Sequence, residues 1–357
     1  MQIEMFSDRL SQIYQDFGYQ AYAMSKFEEY ELYLRNKEFL VSDRVLTFTD
    51  TDGRLMALKP DVTLSIIKNT SDRDSGVQKL YYHEHVYRPG KNEQGFREIM
   101  QIGLECMGKV DTYCVLEVLQ LAVASLKAIS DQCVLDVSHM GLVSRLLDES
   151  GLTDVDRKRA LEAIGNKNAH ELNEICSQSG ANADALVKLI KLSGEATAVM
   201  PQLQEIFGKM PEFAQLRSIV AALDRSGIDC VNIDFSVVND MNYYNGIVFV
   251  GFVQGVPEAV LSGGQYDALM EKMKRTDKAI GFAVYPALLE LLQQLRVQQD
   301  SAVLYYDVNA PLESVMEAVA ALKRQGQKIS AQPGPVPVGA FGYQLVGNEV
   351  KVIENNA

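Results

Sequence analysis

The sequence predicts an α+β protein: a mixed, largely antiparallel sheet with flanking helices, a helical insert within the chain and a small α/β tail. Three observations carry this prediction. β-Rich runs bounded by turn residues recur between residues 45 and 107 and again between 233 and 284. Between these blocks, residues 141–226 read as helix throughout, in segments such as LVSRLLDESGL and AQLRSIVAAL. Near Asp300 the character changes, and residues 301–357 read strand, helix, strand, Pro/Gly-rich loop, strand. The predicted domains are therefore 1–298, carrying the insert, and 299–357, which is small for a unit with its own core.

Taken in order, residues 2–17 form an amphipathic helix that stops at Gly18. A polar, aromatic stretch, FEEYELYLRNKEF, follows. Val45–Thr49 and Leu55–Leu58 are strands joined by Asp52-Gly53, a tight-turn pair, and Pro60 ends the second. Asp61–Asn69 opens a helix. Lys79–Tyr87 and Ile99–Met107 are strands joined by the polar loop 89–95. Val110–Ile129 is a helix apolar over much of its surface, which places it in the interior. Cys133–Val137, Ile233–Val237 and Ile247–Val253 are strands, SGGQYD at 262–267 reads as a Gly-Gly turn, and Ala279–Val284 is a strand before a long helix from Ala287 to Gln298.

Composition narrows the function. Hydrophobic residues make up 47% of 357, enough for a substantial core, and no apolar run is expected to reach the roughly 18 residues of a membrane span. The amino terminus lacks a basic segment before an apolar stretch, so no signal peptide is expected and a cytoplasmic location is. Five cysteines, at 106, 114, 133, 176 and 230, form no CxxC pair and fit a reducing compartment better than a disulfide framework or zinc site. The net charge of −13, with its densest basic run (Arg157, Lys158, Arg159) among acids in a helical region, argues against nucleic acid as a partner.

The chemistry concentrates on one strand. Alternate residues share a face, so Arg97, Ile99, Gln101, Gly103 and Glu105 lie on one side and Glu98, Met100, Ile102, Leu104 and Cys106 on the other, which is mostly core. A glycine between Gln101 and Glu105 leaves room above the sheet for a ligand, and a fixed carboxylate suits an amine or imidazole. A solvent-facing strand would show the same alternation. Asp61 and Thr63 place an acid and a hydroxyl at a strand-to-helix junction, as pocket groups or as an N-cap. Tyr243 and Tyr244 are core or pocket wall. His83 and His85 share a strand face without a nameable third ligand, so ordinary hydrogen-bonded histidines are expected, and no metal or other cofactor. Cys106 and Cys114 read as core.

Four segments then carry a family resemblance: LKPDVT (58–63), VYRPGKNEQGFREIMQIGLECMG (86–108), NDMNYYNGIVF (239–249) and SGGQYDALM with AIGFAVYPALLEL (262–270, 279–291). Together they resemble the catalytic domain of class II histidyl-tRNA synthetases and their paralogues over residues 1–298. The resemblance implies a class II synthetase-like antiparallel sheet and a histidine pocket formed by Asp61, Thr63, Arg88, Gln101, Glu105, Tyr243, Tyr244 and Tyr266. Asp61 stands where synthetases usually carry the longer Glu.

The departures from the pattern imply that adenylation is lost. Leu288 replaces an arginine that holds ATP phosphates, Asn239 one that polarises the reacting carboxylate and phosphate, and Gly90 a glutamate for adenine. Fixed cations are the main device of phosphoryl chemistry, an arginine clamp contributing on the order of several kcal/mol. No catalytic residue is therefore expected. The 57-residue tail is shorter than a synthetase anticodon-binding domain, and tRNA is not expected as a partner. The chain is similar in these respects to the regulatory paralogues of ATP phosphoribosyltransferase. That likeness implies a short-form catalytic transferase as partner, L-histidine as ligand, and a homodimer inside a larger hetero-oligomer, with Ser25 replacing a proline of the family's dimer motif. The alternatives are an active histidyl-type synthetase and a histidine-sensing paralogue with another partner.

Overall fold

The computed structural model describes residues 2–40, 42, 44–72, 76–90, 95–208, 210–238, 243–289, 301–337 and 342–353. The chain divides into two compact units, Met1–Leu288 and Leu289–Ala357. The division falls before the 298/299 boundary expected from sequence, and most of the intervening segment, including most of the expected helix 287–298, lies outside the described residues.

In the first unit, α1 (Gln2–Asp16) ends where Gly18 takes φ +82°, a conformation that suits glycine. After β1 (Gln20–Ala21), the aromatic stretch divides into β2 (Phe27–Glu29) and α2 (Tyr30–Arg35). The strands β3 (Thr47–Thr49) and β4 (Leu55–Leu58) pair across the Asp-Gly turn, with Gly53 at φ +86°. They make a small three-stranded sheet in the order β2-β4-β3. Helix α3 (Val62–Asn69) starts at Asp61, whose side chain accepts from the Leu64 amide and fills one of the bonds a helix start leaves open.

The main sheet is built on β5 (Val77–Pro89) and β6 (Phe96–Gly108), thirteen residues each in antiparallel register. Helix α4 (Thr112–Ile129), capped by Asp111, crosses behind. By length and a mean hydropathy of 1.5 it could span a membrane, contrary to the expectation that no segment would. Its apolarity answers to packing instead, because Val115, Val118, Leu119, Leu121 and Leu126 are buried against α1 and the sheet. Each such side chain contributes about 2 kcal/mol of burial.

After β7 (Cys133–His139), the insert runs through α5 (Met140–Glu149), α6 (Asp154–Gly165), α7 (Ala169–Ser179) and α8 (Asp184–Lys191), then β8 (Ser193–Glu195), α9 (Ala196–Phe207) and α10 (Pro211–Arg225). It is thus not helical throughout. β8 pairs with β9 (Val231–Asp234), which runs parallel to β7, so the insert extends the central sheet by an edge strand.

The strands β10 (Ile247–Val253), β11 (Leu261–Gln265) and β12 (Lys278–Val284), with α11 (Asp267–Lys272) between the last two, complete nine strands in the order β1-β5-β6-β12-β11-β10-β7-β9-β8. The Ser262-Gly263-Gly264-Gln265 run, read from sequence as a turn, is an interior strand. Its glycines are there because a Cβ on Gly263 would strike β12 and one on Gly264 would lie 2.6 Å from the Tyr244 ring.

The second unit holds β13 (Ser301–Tyr306), α12 (Leu312–Arg324), β14 (Lys328–Pro333), β15 (Gly342–Val346) and β16 (Glu349–Ile353). Two strands, turning at Gly347, replace the single final strand expected, and Leu304, Leu345, Val315, Ala318 and Leu322 form its own core.

Candidate functional site

All eight side chains expected at a pocket line a single cavity of about 390 Å³. The helix α3, the strands β5, β6, β11 and β12 and the segment before β10 converge to make it. β6 contributes Gln101 and Glu105, only 4% and 2% exposed, on the face opposite the fully buried Ile102, Leu104 and Cys106. The alternation read from sequence is therefore real, and the polar face is a covered pocket rather than a solvent face.

Glycines make the room. Gly103 has no side chain because the Tyr82 ring lies over it, and a Cβ on Gly281, Glu105's register partner on β12, would collide with the Glu105 carboxylate. Gly264 continues the row on β11 and leaves space for Tyr244. Three neighbouring strands thus form a platform without side chains on which a carboxylate and two phenols lie.

Glu105 is the buried centre. Thr63, in the first turn of α3, donates its hydroxyl to Oε1 at 2.9 Å, and Tyr266 donates to Oε2 at 2.6 Å. Burial pushes the Glu105 carboxyl up to about 8, the two hydroxyl bonds pulling against it. Asp61 serves two purposes that seemed alternatives in the sequence. One oxygen caps α3 through Leu64 N at 2.9 Å, while the other faces Arg88 across 3.8 Å. Burial raises its carboxyl too, opposed by Arg88. Arg88 Nε donates to the Pro60 carbonyl at 2.7 Å, so the guanidinium braces the turn that carries Asp61. The same turn is anchored by Lys59, 1% exposed, which pairs with Glu84 at 2.5 Å.

Tyr243 and Tyr244 are both pocket wall. Their ring centroids are 4.6 Å apart, and Tyr243 packs on Tyr266 at 6.0 Å and edge-on to Phe39 at 6.1 Å. Burial holds the Tyr82, Tyr243, Tyr244 and Tyr266 phenols well above their ordinary range, so they present neutral hydroxyls.

Sequence reasoning missed Tyr82, Ser262 and Tyr285, all of which line the cavity. Ser262 Oγ and Tyr285 Oη lie 2.8 Å apart. Tyr82 was legible, since it pairs with Gly103 and lies on the Glu105 face, but only once the β5–β6 register is known. His83 hydrogen-bonds Ser11 at 3.0 Å. Among the described residues, no group of three His, Cys, Asp or Glu side chains is placed to hold a metal. Cys106 and Cys114 are both buried, and each shifts the other: Cys106 hydrogen-bonds Cys114 and brings its thiol down to about 7.

Of the departures, Leu288 ends the short 3-10 turn Pro286–Leu288 after β12, and Gly90 donates its amide to Gly95 at 3.1 Å. Asn239 lies outside the described residues. The arrangement offers two acids, one brace-bound cation and a ring-lined wall. That suits binding of a small cationic or zwitterionic molecule better than phosphate.

Comparison with known proteins gives three kinds of match. A family model described as histidyl-tRNA synthetase matches residues 1–289. A curated relative from Oceanobacillus iheyensis, an ATP phosphoribosyltransferase regulatory subunit, is 26% identical, over 94% of this chain and 88% of its own. Among solved structures, an ATP phosphoribosyltransferase regulatory subunit/histidyl-tRNA synthetase from Bacillus halodurans superposes with a TM-score of 0.71 at 22% identity, covering 94% of this chain and 90% of that one. The ATP phosphoribosyl transferase complex from Thermotoga maritima contains a chain that matches with a TM-score of 0.63 at 18% identity, covering 79% and 96%.

Proposed function

The chain belongs to the histidyl-tRNA synthetase family, and from that premise we propose that it is a non-catalytic regulatory subunit of ATP phosphoribosyltransferase. In this role it is required by the short catalytic subunit and conveys histidine feedback in the first step of histidine biosynthesis. The names of the relative from Oceanobacillus iheyensis and of the complex from Thermotoga maritima support the partner. The observation that carries the ligand is Glu105, buried at the cavity floor between the Thr63 and Tyr266 hydroxyls.

A free amino acid presents an ammonium and a carboxylate at its α-carbon. Asp61 and Arg88 stand 3.8 Å apart with the complementary pair of charges, so the backbone end of histidine belongs there. The side chain then points to Glu105 between the rings of Tyr243, Tyr244 and Tyr266. The nucleotide half lacks its cations: Leu288 and Asn239 replace the phosphate-binding arginines and Gly90 the adenine-binding glutamate. Without them a developing phosphoryl charge has no fixed counter-charge, and adenylate formation is not supported. Histidine acts by linkage, shifting the transferase by its differential affinity for two states of the complex.

The test mixes the purified chain with a short-form transferase. Phosphoribosyl transfer is expected only in the mixture and is inhibited by L-histidine, while the chain alone binds histidine and gives no histidine-dependent ATP–pyrophosphate exchange. Robust exchange would establish the synthetase alternative, which the retained Arg88 keeps chemically open.

A further inference from the structure

The two carboxyl groups of the cavity keep different company. Asp61 caps α3 and faces the Arg88 guanidinium. Glu105 accepts two neutral hydroxyls, and among the described residues it enters no ion pair. The other groups turned towards it are Asp61 at the start of α3, whose negative charge also raises it, Tyr82 from β5, Gln101 from β6, and Tyr243 and Tyr244 from the segment before β10, the phenols all neutral. Arg88, the cation lining the cavity, is engaged by Pro60 and Asp61. A carboxylate buried to 2% exposure and, among the described residues, without a counter-charge is poorly compensated for its desolvation, so the ligand-free site favours the neutral acid.

This has a consequence for the ligand, resting on the histidine reading above. We propose that Glu105 stores a proton in the empty cavity and hands it to the imidazole of the incoming ligand, which is then held as an imidazolium–carboxylate pair. The balance closes within the site. The O–H bond of Glu105 breaks, an N–H bond forms on the ring, and no proton enters from or leaves to solvent.

The free imidazole titrates near 6.5 and Glu105 at about 8, a gap of roughly thirtyfold in proton affinity. Two unit charges in contact in a partly buried site attract by more than that gap, and the remainder offsets the desolvation of the ring, so transfer is favoured once the ring is in place. The site would thereby select a side chain that can take a proton over an isosteric ring that cannot.

The pH dependence follows. Between about 6.5 and about 8 the separated partners hold one proton, on Glu105, and so does the complex, which makes affinity flat. Below that window both partners arrive protonated and one proton must leave. Above it both arrive bare and one must be taken up, so affinity falls on either side.

Histidine labelled with ¹⁵N in the ring, bound at pH 7.5, reads the outcome directly. The expected spectrum has both ring nitrogens in the imidazolium form, and titration calorimetry gives the same enthalpy in buffers of different ionisation enthalpy. A bound neutral ring, or one proton released per site, overturns the proposal while leaving histidine binding intact. No binding at all removes the histidine reading as well, and is recognised by the absence of any heat. Glu105→Gln, which keeps the shape and cannot donate a proton to the ring, is expected to bind the ring in its neutral form roughly thirtyfold more weakly.

A ligand-free measurement closes the test. The folded carboxyl keeps its proton up to about 8 while the unfolded chain loses it near the ordinary glutamate value. The stabilisation is full below that ordinary value and is lost as pH rises through about 8. Thermal unfolding of the empty protein should therefore lose stability across this range, and Glu105→Gln should flatten the loss. Equal slopes for the two proteins would show that no proton is stored.

Discussion

The Glu105 side of the cavity and the positions that the resemblance to synthetases assigns to nucleotide contacts differ in how their residues are held. On the Glu105 side, acid, hydroxyls and rings are buried, partnered and set on a platform of glycines in three strands. Outside the cavity lining, the positions that the resemblance to synthetases assigns to nucleotide contacts carry Gly90 and Leu288, a backbone-bonded loop residue and the end of a short turn. The difference teaches where constraint lies. A site for a small charged molecule demands a whole packing arrangement beneath it, whereas the loss of phosphate chemistry proposed above would need only a few side chains to change.

The most direct way to break this contrast is to fill the platform. Gly281→Ala places a methyl group against the Glu105 carboxylate and the Leu104 carbonyl, both fixed by the sheet. We expect a loss of about 3 kcal/mol in denaturant unfolding and histidine binding too weak to detect. A stable Gly281→Ala that binds normally would mean the platform is not what the pocket depends on.

Glu105→Ala comes next. It leaves the Thr63 and Tyr266 hydroxyls without their acceptor and removes the ligand's partner, which should weaken histidine binding by about 2 kcal/mol, roughly thirtyfold. Assembly with the transferase should persist, so activity is kept and inhibition requires roughly thirtyfold more histidine. Full histidine sensitivity in that variant would place the regulatory site elsewhere.

Much of this was legible in the sequence, and the gaps have physical causes. The period-2 pattern around Gly103 assigned Gln101 and Glu105 to one face because burial on the other face admits only apolar residues at Ile102 and Leu104. The Gly-Gly run misled because glycine serves turns and crowded strands alike. Only the register that sets Gly263 and Gly264 against β12 and Tyr244 distinguishes them. Tyr82 enters the cavity through the register of the β5–β6 hairpin and Tyr285, just past β12, through its contact with Ser262, and neither the register nor that contact is encoded by a local pattern. The edge strand Ser193–Glu195 is three residues long between two helices, too short for a periodic signal.

The opposite side sharpens the comparison through gain rather than loss. Leu288→Arg combined with Asn239→Arg supplies the two arginines that the resemblance to synthetases leads one to expect at these positions. If the Glu105 side is an intact amino-acid site beside a dismantled nucleotide site, ATP affinity should rise by about tenfold, or ~1.4 kcal/mol. Equilibrium binding of ATP measures it. No gain would mean that backbone differences, and not only the side chains, separate this chain from its synthetase relatives.

The smallest effect is expected where the two sides meet, at Asp61. The resemblance to synthetases leads one to expect the longer glutamate there, yet this aspartate has two engagements, the Leu64 amide through one oxygen and Arg88 across 3.8 Å through the other. Aspartate is among the best N-caps because its short side chain folds back on the helix start. Glutamate reaches past that position, so Asp61→Glu should cost about 1 kcal/mol of stability through α3. The added methylene would carry the carboxylate further into the cavity, towards a bound ammonium, which offsets part of the strain. Histidine affinity should therefore stay within about threefold, or ~0.6 kcal/mol, of the parent. A large rise in affinity at unchanged stability would show that the shorter acid was selected to weaken binding, as a sensor tuned to high histidine concentrations would require. A loss of both would show that the cap, and through it the placement of Thr63 against Glu105, is what Asp61 chiefly provides.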